Sequence, residues 1–386
     1  MKKRVAILGS TGSIGKSLLN IIKRDKKNFH IILLTANKNY KDLLKQAKIF
    51  DVKNIIITDK KYYQIAKFKN QSRKINIYNN FDIFKKVFKS KIDYVMSSIV
   101  GLDGLYPTIQ IIKYTKKIAI ANKESIICGW NLIKKQLEKN KTIFIPVDSE
   151  HFSLWYAMRG NTFSAIDKIY LTASGGSLLN TPKNKFNNIN LKKILDHPNW
   201  KMGKKITIDS STLMNKVFEI IEAKKIFNLN YKCLDIVIHP ISYVHAILKF
   251  PNGMIKIIAH DTTMKIPISN SLYDLKNNVI STKTINFKKL NDLNFSQVDK
   301  KKFPSVNILK SLPNNNSLFE TVLVTTNDEL VKLFLNRKIK YNEIIINLIK
   351  ITNRNEFKKL KKIVPTKVSE VIKINEYVRN KINSLI

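Results

Sequence analysis

Along the first 150 residues, short apolar runs alternate with longer stretches whose apolar positions recur at helical spacing. The runs 4–8, 29–35, 54–58, 94–98, 117–121 and 142–147 read as strands, and 15–26 and 40–50 as amphipathic helices. This βαβα order predicts an α/β domain over 1–149, with a parallel sheet covered by helices on both faces. Beyond it, strand patterns at 166–172, 205–209 and 234–238 mix with helices. The runs 243–250 and 254–260 flank Pro251-Asn252-Gly253 as a hairpin would. An α+β domain over 150–275 is expected, then a polar linker at 276–302 without clear periodicity. After Pro304 the pattern is helical at 305–311, 317–335, 341–350 and 367–383, which predicts a C-terminal helical bundle over 303–386.

A chain of 386 residues, 44% of them hydrophobic, is long enough for two or three cores. No apolar run reaches the roughly 18 residues of a membrane span, so no membrane partner is expected. The basic and then apolar opening resembles a secretion signal, but the apolar stretch covers only 5–8 before Gly9, so it reads as a strand. Cys128 and Cys233 are far apart and form no metal-type spacing, which suits a reduced, cytoplasmic protein.

The net charge of +41, from 69 basic and 28 acidic residues, raises the question of nucleic acid. Only seven of the bases are arginines, and the lysines spread along the whole chain, with runs such as 358–362 reading as a solvated helix face. A nucleic-acid reader concentrates its charge on one face or tail, so no nucleic-acid partner is expected. A diffuse positive field still helps phosphorylated small molecules arrive.

Gly9-Ser10-Thr11-Gly12-Ser13-Ile14-Gly15 follows the first strand and opens a helix. Glycines permit the tight turn and the close approach of a phosphate, and the helix N-terminus offers unpaired N–H groups to a pyrophosphate. This is the dinucleotide site of a Rossmann-type sheet. At the end of the second strand, where an NAD enzyme places a carboxylate for the ribose, the chain reads Thr35-Ala36-Asn37-Lys38-Asn39. Lys38 would attract a 2′-phosphate, which favours NADPH.

In Pro146-Val147-Asp148-Ser149-Glu150-His151, residues 148 and 150 project from the same side if the backbone is extended. Two hard oxygen donors suit Mg²⁺ or Mn²⁺, and Glu219, four residues after Asn215 on a helix, offers a third. From spacing alone, paired surface acids are an equal reading. The strand-to-turn segment 171–176 ends in Ser174-Gly175-Gly176 and can cradle an anion. Ser210, at an expected strand-to-helix junction, either caps the helix or helps bind an anion.

Taken together, these residues resemble the 1-deoxy-D-xylulose 5-phosphate reductoisomerase family. The matching strings are GSTGSIG at 9–15, ANKES at 121–125, PVDSEH at 146–151, SGG at 174–176, HPNWKMGKKITIDSSTLMNK at 197–216 and IHP at 238–240. The likeness weakens in the helical C-terminal part, where fragments such as Asn327-Asp328-Glu329 carry it. The resemblance implies that Asp148, Glu150 and Glu219 ligate the metal. It implies sugar-phosphate contacts from Ser149, Glu150, Ser174, His197, Ser210, Asn215, Lys216 and Glu219, with Lys123 facing the substrate. NADPH would meet Thr11, Gly12, Ser13, Ile14, Asn37, Lys38, Asn39, Asn122, Glu124 and Gly203. Trp200 and Met202 would lie on a mobile flap.

The reaction so implied rearranges a sugar-phosphate skeleton and reduces the resulting aldehyde with NADPH to 2-C-methyl-D-erythritol 4-phosphate, in a homodimer. The chain departs from the family's pattern at Asn37, where glycine is common, and at Val217-Phe218, where Gly-Leu is usual. His197, His239 and Lys123 are candidates for orientation or proton transfer, whereas His30, His245 and His260 read as structural. The rival reading of a semialdehyde-type dehydrogenase needs a nucleophilic cysteine, and Cys128 between Ile127 and Gly129 has the setting of a packing residue.

Overall fold

A computed structural model of the chain describes residues 1–70, 74–159, 166–273, 282 and 284–385, without the side chains of 187 and 188. Seven strands form the first sheet: β1 (Lys3–Leu8), β2 (Phe29–Ala36), β3 (Asn54–Ile57), β4 (Asn76–Tyr78), β5 (Tyr94–Ser97), β6 (Lys117–Ile120) and β7 (Ile143–Pro146). Their order is β4-β3-β2-β1-β5-β6-β7, and every pairing is parallel. The expected α/β class and Rossmann-type sheet are therefore present. The inner strands are buried on both faces, which explains why they read as unbroken apolar runs. β4 escaped the sequence reading because it is three residues long with a single isoleucine.

The helix Ser13–Arg24 presents Gly15, Leu18, Leu19 and Ile22 to the core at the spacing of one helical face. A Cβ on Gly15 would stand 2.5 Å from the Ser10 Cα, so only glycine lets this helix start directly above the turn that follows β1. Ser10 and Gln46 close a buried pair behind that turn at 2.7 Å.

The second sheet contains β8 (Lys168–Ala173), β9 (Leu234–Ile238), β10 (Val244–Lys249), β11 (Ile255–Ala259) and β12 (Ser296–Gln297), in the order β11-β10-β8-β9-β12. Only β8 and β9 are parallel; β10 and β11 form the expected hairpin, with Gly253 at φ 85°. Helices Phe319–Leu335, Tyr341–Thr352 and Val368–Leu385 follow, as the C-terminal periodicity predicts. Among the described residues, no helix is long and apolar enough to cross a membrane.

The expected strand at 205–209 is a helix, Lys204–Ser211. Ile206 and Ile208 imitate strand alternation, but Thr207, Ser211 and Thr212 return their hydroxyls to backbone carbonyls three or four residues back, and Lys205 pairs with Asp209 across one turn. Ser210 therefore sits at the end of a helix and not at a strand-to-helix junction.

The chain divides into two compact units, where three domains and a linker were expected. The first holds residues 1–125, 132–148 and the described part of 264–280; the second holds 126–131, 149–263 and the described residues from 281 onward. Residues from 264 join the first unit because helix Lys265–Tyr273 buries Ile268 and Leu272 in its core. Tyr94 bonds Ser271 at 2.7 Å and Tyr273 bonds Asp25 at 2.8 Å. Part of the expected linker, 276–281 and 283, lies outside the described residues, and its later part carries β12, paired with β9.

Candidate active site

β7 ends at Pro146, buried Val147 follows, and Asp148 comes at the carboxyl end of the strand, where open parallel sheets place their ligands. Helix Ser149–Ala157 begins at the next residue, so Glu150 lies in its first turn, where the helix dipole favours a carboxylate. The two acids converge through this strand-to-helix turn, and not through the strand alternation expected from their spacing. Helix Met214–Phe227 delivers Glu219, buried to 1% exposure, and Asn215 donates to its carboxylate from one turn earlier. One oxygen each of Asp148, Glu150 and Glu219 lies within 4.8 Å of the others.

Lysines balance these charges. Lys216 Nζ is 2.6 Å from Glu150 Oε1 and also pairs with Glu219, while Lys123 Nζ is 3.0 Å from Asp148. Burial alone would lower the Lys216 pKa, but the two carboxylates outweigh it and hold the ammonium above its ordinary value. Ser149 Oγ donates to Glu150 Oε2 at 2.7 Å. Behind Glu219, His151 Nε2 lies 2.9 Å from its backbone carbonyl, and His151 Nδ1 lies 3.5 Å from Glu222. Sequence reasoning missed this buried pair; its signal was that Glu222 follows Glu219 by three residues and so shares its helix face.

A second cluster joins Ser174, His197 and Ser210. His197 Nε2 is 3.0 Å from Ser174 Oγ and 3.1 Å from Ser210 Oγ. Its Nδ1 accepts the backbone N–H groups of Asn199 and Trp200 at 3.1 and 3.0 Å, which leaves the ring proton on Nε2. Burial lowers the His197 pKa, in keeping with a neutral ring. His197 is thus a fixed N–H donor beside two hydroxyls, and Nδ1 is not available to move protons. Gly176, at φ 67°, lets the turn after β8 rest on the Ser210 helix, since a Cβ there would be 2.6 Å from the Ser211 Cα.

The remaining predicted positions fall as follows. Thr11, Gly12, Ser13 and Ile14 form the turn and first residues of helix Ser13–Arg24, whose N-cap residue, Gly12, has no side chain to cap it. Asn37, Lys38 and Asn39 are exposed after β2, and Asn39 also caps helix Tyr40–Ile49 through Asp42 N–H. Asn122 is buried: it caps helix Lys123–Lys139 and donates to the carbonyls of Ile99 and Gly101. Glu124 is buried in the first turn of the same helix, and Gly203 precedes helix Lys204–Ser211 in the open. Met202 is half-buried, while Trp200 stands edge-on to His245 with ring centroids 6.2 Å apart. His239 stacks on Phe295 at 4.7 Å with Nδ1 bonded to the Asn294 carbonyl, a structural setting. Cys128 is buried, as its apolar surroundings suggested.

Three family models match the chain: 1-deoxy-D-xylulose 5-phosphate reductoisomerase over residues 5–129, the C-terminal domain of that enzyme over 144–227, and the DXP reductoisomerase C-terminal domain over 261–381. The 1-deoxy-D-xylulose 5-phosphate reductoisomerase of Pelagibacter ubique is 58% identical over 99% of both chains. That of Clostridium tetani is 34% identical over 99% of this chain and 100% of its own. Among solved structures, the Zymomonas mobilis enzyme in complex with NADPH superposes with a TM-score of 0.88 at 28% identity, covering 100% of this chain and 99% of that one. A DOX-P reductoisomerase in complex with NADPH, fosmidomycin and magnesium gives a TM-score of 0.90 at 28% identity, over 99% and 98% of the two chains.

The buried His245–His260 stack, with ring centroids 3.7 Å apart, makes a prediction about pH. Burial, and then His260 beside it, push the His245 pKa down to about 3, and burial lowers that of His260 too. Unfolded histidines take up protons from about pH 6.5 downward, while the folded pair stays neutral. The pair's contribution to stability is therefore whole above pH 6.5 and declines as the pH falls from there toward about 3. His245→Gln should flatten the acid-side loss of stability in urea titrations run across that range. Identical slopes for the variant and the parent would show that the pair carries no such linkage.

Proposed function

The chain belongs to the 1-deoxy-D-xylulose 5-phosphate reductoisomerase family, and from that premise we propose that its site converts 1-deoxy-D-xylulose 5-phosphate to 2-C-methyl-D-erythritol 4-phosphate with NADPH and a divalent metal. The observation that carries this reading is the convergence of three carboxylates on one small space, with a serine–histidine–serine cluster on the same unit as Glu150 and Glu219.

The residues fit the metal. The donor set is all oxygen, as Mg²⁺ or Mn²⁺ prefers, and the ammonium of Lys216 between Glu150 and Glu219 marks that space as one that favours a cation. Asp148, Glu150 and Glu219 would hold the ion. Bound there, the ion supplies a Lewis acid for the ketone and hydroxyl oxygens of the sugar, and NADPH supplies the hydride. Ser174, Ser210 and the Nε2–H of His197 bind the phosphate, and Asn215 and Lys216 orient the sugar between that anchor and the carboxylates. Lys123, beside Asp148, faces the substrate oxygens as a donor. The uncapped N-terminus of helix Ser13–Arg24 takes the pyrophosphate of the cofactor, and Lys38 meets its 2′-phosphate. The flap carrying Trp200 and Met202 closes over the sugar and excludes water.

A homodimer fits the exposed edge of the second sheet. Among the described residues, Met254, Ile255 and Ile257 on and beside β11, with Tyr156 on the neighbouring helix Ser149–Ala157, leave an apolar strand edge exposed, and folded chains rarely leave one so. Two cysteines outside any disulfide, one of them buried, suit a cytoplasmic enzyme. The diffuse lysine excess serves to attract anionic ligands and not nucleic acid.

Four experiments test this reading. Glu219→Gln should cut turnover by about two orders of magnitude, the scale of a lost transition-state electrostatic contact, while NADPH affinity stays put. A chelator should stop NADPH oxidation and Mg²⁺ or Mn²⁺ restore it; full activity after exhaustive chelation would overturn the metal assignment. For coenzyme choice, Lys38→Glu should weaken NADPH by about 1.5–3 kcal/mol and NADH far less, since only the former has a 2′-phosphate to repel. Equal weakening of both would leave Lys38 without a selective role. In sedimentation equilibrium the parent chain should be dimeric and Ile257→Lys shifted toward monomer; a monomeric parent would remove the homodimer from the proposal.

A further inference from the structure

The phosphate-binding serine at position 210 stands at the carboxyl end of a short helix, and this poses a physical problem. A helix end of this kind presents carbonyls, and its dipole disfavours an anion. Phosphate recognition there must rest on the Ser210 hydroxyl and its partners across the cluster, and so on how firmly that hydroxyl is held.

Each residue around Ser210 is tied to the C-terminal helical region. Asp209, 1% exposed, accepts a hydrogen bond from Asn327 Nδ2 at 2.8 Å and pairs with Lys205 at 2.9 Å. Lys205 reaches Asp328 at 2.9 Å as well, so two neighbouring residues of helix Phe319–Leu335 grip the Ser210 helix through Asp209 and Lys205. Ser211 Oγ accepts the Tyr341 hydroxyl at 3.2 Å, and the Thr212 carbonyl accepts Ser305 Oγ at 2.5 Å. Gly176 also packs closely on Ser210 and Ser211 and so holds the Ser174 turn against the helix. Ser210 itself is only half-buried and turns its hydroxyl to His197.

From this arrangement we infer that Asn327 and Tyr341 are positioning residues for phosphate recognition: the C-terminal helices fix the Ser210 hydroxyl against Ser174 and His197. The inference rests on reading Ser174, His197 and Ser210 as the phosphate cradle. Neither residue touches the substrate. They act by restricting a hydroxyl whose displacement by about 1 Å would loosen the whole cradle. A purely structural role for the C-terminal helices would instead weaken every ligand together.

The test uses the full-length chain. Asn327→Leu keeps the volume and removes the donor to Asp209. It should raise both the KM for deoxyxylulose phosphate and the Kd for inorganic phosphate, read by ³¹P line broadening, about fivefold, as expected for one buried hydrogen bond. The value of kcat should stay within about twofold, and NADPH affinity should not change. Tyr341→Phe, which removes only a hydroxyl, should shift the same two quantities in the same direction by about twofold, and it carries the test if Asn327→Leu does not fold. Unchanged phosphate affinity in the folded variants overturns the inference, and so does a parallel loss of phosphate and NADPH binding. If the parent chain fails to turn over deoxyxylulose phosphate, the functional reading falls, while phosphate titration still decides the positioning role.

Discussion

Like charges held close together repel, and the site depends on how the chain makes Asp148, Glu150 and Glu219 tolerate one another. Glu219 is almost wholly buried, where an unbalanced carboxylate is costly. Lys216, from the same helix, enters between Glu150 and Glu219, and Lys123 meets Asp148 from the first turn of its own helix. Removing one partner of such a buried pair costs about 3–5 kcal/mol, so the carboxylates and lysines must be assembled as a set. This balance is also what makes the site suited to a divalent ion: the protein has prepared a space that prefers positive charge.

The surrounding structure can be understood as support for that set. The strand-to-helix turn after β7 places Asp148 and Glu150, and the buried His151–Glu222 pair backs the carbonyl of Glu219. A short left-handed turn at Leu213, φ 58°, separates the helix that bears Ser210 from the helix that bears Glu219. Ser210 and Glu219 are therefore carried by consecutive helices of one unit, and the Ser210 helix is held by the C-terminal helix that packs behind it. The chemistry is concentrated in a few side chains, while their precision comes from distant ones such as Asn327 and Tyr341.

The charge of +41 bears on this only indirectly. Most lysines lie in the open, where an exposed ion pair contributes little to stability. The few that matter, Lys123, Lys205 and Lys216, are distinguished by burial beside carboxylates and not by their place in a basic run.

How much of this was legible beforehand follows from the range of each signal. The parallel sheet, the glycine turn at 9–15, the hairpin at Gly253 and the C-terminal helices all rest on local periodicity and turn chemistry, which the sequence determined by itself. The acids Asp148, Glu150 and Glu219 were singled out together only through the resemblance of the motif strings, since spacing alone left paired surface acids an equal reading. Where local signals compete, the sequence reading failed: Ile206 and Ile208 alternate like a strand, but hydroxyl back-bonding and the Lys205–Asp209 pair make a helix. Only the tertiary structure decided that residues from 264 return to the first unit, that Lys216 balances two carboxylates, and that His197 keeps its proton on Nε2. Each of these depends on partners tens of residues away or on a folded backbone presenting its amides. Such contacts leave no periodicity along the chain, so they appear only when the helices and strands have been packed together.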